Sequence, residues 1–305
     1  MTTVLPSTPT TAPPPRPART GPTGAGRVLT GVGIAVAVLL VLQLSAQLLS
    51  RVVADRVDAS ATYAATDVLE LVVEGDLAVV VEDVDRVRVD RSAEYAWPEP
   101  RYTVETTGDR TVVRHTCAAM PLHCRVSTRV VVPEGTDVVV RAVDGTVDGA
   151  GPAGDVELQT SDGPVHVAGI AGSLDVRTVD GSVLVTDVGG DVRASATDAS
   201  LEVSRVAGDV DVRGGDGRVD VHDVRGAVTA ERHDGDVVVG AVRGDVTVST
   251  VDGDITVHGS GEPVALSVQA VDGRQRVEAP TDPAARVRVD LRTVDGDVAY
   301  LGPRG

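Results

Sequence analysis

Aspartate is the side chain with which this chain could do most chemistry. It recurs before glycine at Asp144-Gly145, Asp162-Gly163, Asp180-Gly181, Asp216-Gly217, Asp234-Gly235 and Asp252-Gly253, with Asp198-Ala199 in the same series, always at steps of 18 residues. Looser copies follow at Asp272-Gly273 and Asp295-Gly296. A column of carboxylates could hold calcium, as in β-rolls built from nine-residue half-units, and a carboxylate pair could serve as acid and base on a glycosidic bond. Calcium rolls use Gly-Gly-x-Gly-x-Asp-x-apolar-x, with one apolar position per nine residues. Here each nine carries three apolar positions and a single glycine. A polysaccharide-cleaving cleft needs loop insertions, and the unbroken steps from 144 to 252 leave room for none. The expectation is structural: each Asp carboxylate accepts a backbone N–H at its own turn. No catalytic residue, metal or cofactor is assigned.

The remaining candidates are few. Cys117 and Cys124 flank AAMPLH between strand-like segments, which predicts a disulfide closing a β-hairpin loop in an oxidising compartment. Two free buried thiols is the alternative. A metal site would need His115 and His123 turned inward beside that one pair at an odd spacing. The six histidines fall at unlike positions of the repeat, and no Ser-His-Asp or phosphate-loop pattern occurs. The segment YAWPEPRY (95–102) gathers Tyr95, Trp97 and Tyr102 with two prolines. Aromatics dominate binding hot spots, so these three rings are the candidate contact surface, with filling of a solenoid cap as the other reading.

The elements that would position these residues follow from the repeat. Count each unit from its Asp as position zero. Apolar residues concentrate at positions 3, 5 and 8, and again nine residues on at 12, 14 and 17. The elementary unit is x-Gly-[Asp/Ser]-Val-x-Val-x-x-Val, plain in DGDVVVGAV and RGDVTVSTV. Val-x-Val is period-2 alternation in a β-branched residue, hence a strand with one face inward. The step from 5 to 8 breaks the alternation, so the chain must turn, and glycine supplies freedom for the corner. Asp-Gly could also close two-residue hairpins in an antiparallel meander. Its flanking positions would then face the same side, yet one is often apolar (Val143, Val179, Val251) and the other polar (Thr146, Ser182, Asp254). A parallel β-solenoid has no such conflict. Because the Asp has no counterpart nine residues on, the coil is 18 residues with two strands. Such coils cannot stand alone and are stabilised by stacking.

Composition sets the compartment. The chain has 305 residues, Lys+Arg 28 against Asp+Glu 45, a net charge of −17, aromatics at 2% and no Lys, Asn or Phe. Nucleic-acid binding needs clustered cations and is excluded. Residues 1–27 are rich in Pro, Thr, Ala and Gly and read as a disordered cytoplasmic leader. Residues 28–50 carry no charge, and a helix of that length spans roughly 34 Å, enough for a hydrocarbon core of about 30 Å. They predict a single transmembrane helix in contact with membrane lipid, or a signal cleaved near Leu44-Ser45-Ala46 or Ala59-Ser60-Ala61. Arg16, Arg19 and Arg27 favour the N-terminus inside, which places everything from Arg51 outside the cytoplasm. Residues 51–66 are expected as a stalk, 67–143 as an irregular β region with the Cys hairpin, and 144–305 as the regular coils with a C-terminal cap around Pro280 and Pro283.

VVPEGTDVVVRAVDGTV (131–147), followed by repeated G-D-V-x-V and D-G-x-V-x-V, resembles the bacterial β-strand-repeat family of "putative adhesins" over residues 67–305. The resemblance implies a β-helix-like solenoid, exported or membrane-anchored, with no assigned chemistry. The expected function is a non-catalytic surface scaffold or adhesin-like binding module whose partner is an envelope or surface protein or polymer. An envelope-stress sensor acting through the leader is the rival reading, and a polysaccharide-active enzyme a more distant one.

Overall fold

A computed structural model describes residues 32–33, 36–41, 43–44, 55–118 and 123–304. The chain divides into two compact units, Met1–Val52 and Val53–Gly305. In the first, the described residues are helical and exposed. No helix among the described residues is long and apolar enough to cross a membrane. The leader 1–27, much of the expected span 28–50 and residues 51–54 lie outside the described residues.

The second unit is all β. Eight strands precede the regular coils: β1 (Asp55–Ala64), β2 (Val68–Val73), β3 (Gly75–Glu82), β4 (Arg86–Ala96), β5 (Arg101–Thr107), β6 (Arg110–Thr116), β7 (His123–Pro133) and β8 (Asp137–Ala142). From there the chain winds as a parallel solenoid. On one wall Val147, Val165, Val183, Leu201, Val219, Val237 and Ile255 are in-register parallel neighbours. On the other, Val138, Val156, Leu174, Val192, Val210, Val228 and Val246 pair the same way. Each rung lies about 4.8 Å from the next. Both columns are buried, and the valines of the two walls form one continuous core cluster. The antiparallel meander fails because every step through the array advances 18 residues in one direction.

The two halves of a coil turn by different means, and this corrects the expected inward position 17. In the first half the αL corner at position 7 resets the alternation, so Ile170, Val188, Val206 and Val224 at position 8 point inward. That corner is held by Gly151 and Gly169, then by Asp187, Arg205, Asp223 and Ala241 with φ between 52° and 58°. In the second half the alternation continues one step further, to position 16. There Ala142, Thr160, Thr178, Ala196, Thr250 and Thr293 are buried, whereas Val143, Val179 and Val251 at position 17 are exposed. The chain then turns at the Gly of Asp-Gly, whose φ runs from 99° at Gly145 to 146° at Gly273. The threonines stabilise this turn through their hydroxyls: Thr160, Thr178 and Thr250 each donate to the carbonyl of the Asp two residues on.

Both ends depart from simple winding. At the C-terminal end the rung after Val246 and Ile255 is not 265–277 but 288–301: Val246 pairs Val289 and Ile255 pairs Val298. The strands Ala265–Asp272 and Gln275–Val277 then pair the far side of Arg288–Asp295 and Val298–Leu301. The last rung in sequence is therefore the penultimate rung in space. Val264, expected to continue the position-12 column, instead bridges Thr281 on the return segment. At the other end β2 lies between β6 and β8, and β3 between β7 and β9 (Val147–Ala150).

Antiparallel strands close that end. β4 adds to β7, β1 adds to β4, and β5 adds to β6. The expected stalk 51–66 is thus corrected. Residues 55–64 form β1, alternate in burial from 59 onward and pair β4 over their whole length, because they cover an edge that would otherwise expose unpaired backbone.

Candidate binding surface

The expected site residues separate into three places. Cys117 and Cys124 are joined by a disulfide. It closes no hairpin, however: β6 and β7 pair different neighbours on different walls, so the bridge spans the corner between them. The loop residues 119–122 lie outside the described residues. Glu74 accepts the Cys117 N–H at 2.9 Å.

Beside that corner sits an aromatic cluster. Tyr95 and Tyr102 are half-buried against the core, so two of the three rings fill the cap. Tyr102 is fixed from three sides. Its hydroxyl lies 3.0 Å from that of Tyr63, the Arg91 guanidinium stands 3.9 Å over its ring, and His115 meets its edge at 5.9 Å. Burial, with the Tyr63 hydroxyl second, pushes the Tyr102 phenol up. His115 is itself 2% exposed, with Nδ1 2.8 Å from Thr128 Oγ1. Burial, helped by the Arg91 charge, lowers its pKa to about 4, so the imidazole is neutral. Trp97 does the opposite: it is 80% exposed on the short connection between β4 and β5.

The aspartates hold rungs together, though not chiefly the ones that were expected. Of the Asp-Gly series only Asp180, among the described residues, accepts an N–H at its own turn, from Gly181 at 2.6 Å. The carboxylates that work belong mostly to Gly-Asp-Val, with Asp137 in Thr-Asp-Val and Asp254 in Gly-Asp-Ile. Asp137 accepts the Asp155 N–H, Asp155 that of Ser173, Asp191 that of Asp209 and Asp209 that of Ala227, at 2.7–3.0 Å. On the other wall Asp236, Asp254 and Asp297 do the same toward Asp254, Asp297 and Arg274, following the spatial order of the terminal rungs. Each acceptor reaches one rung along, so charge-assisted bonds bind the stack lengthwise. The [Asp/Ser] of the nine-residue unit was the available signal.

Two buried ionic groups interrupt the pattern. Glu70 on β2 is clamped between Arg110 and Arg141 from the rungs on either side. Arg232 occupies position 16, where the following rung carries Thr250. It is 5% exposed and donates to the carbonyls of Asp216, Gly217 and Ala199. Burial lowers its pKa while Asp216 and Asp198 act to raise it. Room for the guanidinium comes from Gly214 on the preceding rung, where a Cβ would collide with it.

Among the described residues no three of His, Cys, Asp and Glu come together in a way that could hold a metal ion.

Residues 123–301 match the family described as Toastrack DUF4097. No curated protein matches the chain. Among the solved structures similar to it over 81% of this chain are the following three. A "putative adhesin" from Parabacteroides distasonis is 12% identical, with 97% of its own chain covered and a TM-score of 0.43. Another from Bacteroides fragilis is 11% identical, also with 97% covered and a TM-score of 0.36. A "putative cell adhesion protein" from Clostridium sporogenes is 8% identical, with 100% covered and a TM-score of 0.24.

Proposed function

The chain belongs to the Toastrack DUF4097 family, and from that premise we propose a membrane-anchored, extracytoplasmic scaffold that presents an adhesin-like binding surface and catalyses nothing. The carrying observation is Trp97. An indole 80% exposed forgoes most of the roughly 2–3 kcal/mol its burial would give, and here it is mounted between two strands whose other aromatics are packed. Such a ring contributes little burial energy to the fold itself, and Trp is among the residues most enriched in interface hot spots. The anchor is the uncharged stretch 28–50, and the arginines ahead of it set the orientation.

Affinity capture from the cell envelope with wild-type protein and Trp97→Ala tests the surface. The expected outcome is loss of the captured partner at an unchanged melting temperature. Equal capture by both proteins removes Trp97 from the interface. For placement, protease added to intact cells should degrade the β unit and spare residues 1–27. Protection of the β unit until lysis would overturn the extracytoplasmic assignment.

A further inference from the structure

Several arginines of this solenoid pair with a carboxylate on a neighbouring rung. Asp187 pairs Arg205 bidentately at 2.6 and 2.8 Å, Asp236 pairs Arg218 at 3.1 Å and Glu231 pairs Arg213 at 3.4 Å, each partner one rung away. Two arginines flank Glu70 in the same manner. Arg225 and Arg243 depart from this arrangement. They occupy the same position of consecutive rungs, directly after paired Val224 and Val242, so their backbones are about 4.8 Å apart. Neither has a carboxylate partner among the described residues. Like charges directly opposite on adjacent strands destabilise a sheet. The carboxylate ladder gives Arg225 no relief, because its rung carries Ala227 where others carry Asp. On the Arg243 rung, Asp245 is engaged with the Arg288 N–H at 2.8 Å.

This pair borders a groove of about 830 Å³. The groove exists because one rung has small residues at the corner: Gly240 and Ala241 stand where the neighbouring rung carries His222 and Asp223. Arg205 and Arg304 complete the cationic lining, so four arginines face two aspartates, and Asp187 is already paired. His222 and His258 flank the gap. On a chain of net charge −17 this is a local reversal of sign. Repulsion from distant carboxylates is screened within about 8–10 Å at physiological salt.

We propose that the groove binds an oxyanion group, phosphate or carboxylate, carried on an extended ligand and clamped between Arg225 and Arg243 as Glu70 is clamped between Arg110 and Arg141. Guanidinium forks match either anion bidentately. The site lies on the coils 187–304, away from the Trp97 connection, and its existence does not depend on the role of that ring.

The test is calorimetric titration of the full chain with citrate and, separately, with pyrophosphate. The expected result is saturable, salt-sensitive binding of at least one of them that weakens by about tenfold or more in Arg225→Gln/Arg243→Gln. Preference for citrate assigns carboxylate ligands, and preference for pyrophosphate assigns phosphate ligands. Absence of saturation with both probes overturns the proposal, as does equal affinity in the double variant. Should that variant fold poorly, Arg243→Gln alone, at an exposed position, must still weaken binding and must not lower the ligand-free melting temperature.

Discussion

At the scale of single residues, side chains are read by which form the fold prefers. His115 is buried neutral, with its pKa lowered to about 4 by burial and then by Arg91. The unfolded chain takes up that proton near pH 6.5, before the folded chain does. Stability from His115 is therefore fully present above about pH 6.5 and is lost as pH falls toward 4. The shift corresponds to about 3 kcal/mol. Urea midpoints between pH 7 and 4.5 should fall for wild type and stay nearly flat for His115→Gln; parallel curves would contradict the assignment. The carboxylates held low by arginine, Asp187 and Asp297, lose their contribution only at still lower pH. The ladder aspartates make a separate prediction. Asp191→Ala removes the acceptor for the Asp209 N–H and should cost about 1 kcal/mol, whereas Asp191→Asn, which keeps an oxygen, should recover most of it. Equal chemical-denaturation midpoints for the two variants would show that the bond contributes nothing.

At the scale of the element, glycine serves two purposes that a shared letter conceals. The Gly of Asp-Gly is needed for its positive φ. The Gly of Gly-Asp-Val is needed for space: at Gly208 a Cβ would lie 2.6 Å from the Gly190 carbonyl oxygen one rung away. Gly208→Ala should thus destabilise by about 1–3 kcal/mol. At Gly240 a Cβ would meet only the His258 Cβ at 3.6 Å, and Gly240→Ala should stay within about 0.5 kcal/mol of wild type. Thermal melting of the two variants checks the contrast. The coil itself was legible because a hydrophobic period of 18 with β-branched alternation leaves few other solutions. The second half-turn was not. Val179 and Val251 resemble the inward valines in kind, and only the αL corner, which Asp187 and Arg205 can occupy as well as glycine, decides which half resets its alternation. The Cys corner was misread for a related reason. Strand-like flanks do not say whether two strands pair each other or separate walls. Of the contact residues, the packing of Tyr95 and Tyr102 and the exposure of Trp97 depend on β1 and β5, whose pairing no local pattern announces.

At the scale of the whole solenoid, stacking order and sequence order disagree. Residues 265–277 and 288–301 carry nearly the same pattern, so the sequence cannot say which lies against 246–258. The structure places the later segment inside. Deleting residues 281–305 should therefore strip hydrogen-exchange protection from both 246–258 and 265–277, because it removes the neighbour they share. Unchanged protection across 246–258 would mean that 265–277 can take the vacated place. The arrangement also bears on how the molecule is made. A chain leaving the ribosome produces its outermost rung before the one that must slide beneath it, and 68–82 before either of the neighbours that enclose it. The seed comes first and the keystone late. A product interrupted anywhere after residue 258 and before 301 displays raw β edges, the mark by which proteases and chaperones sort unfinished molecules from finished ones.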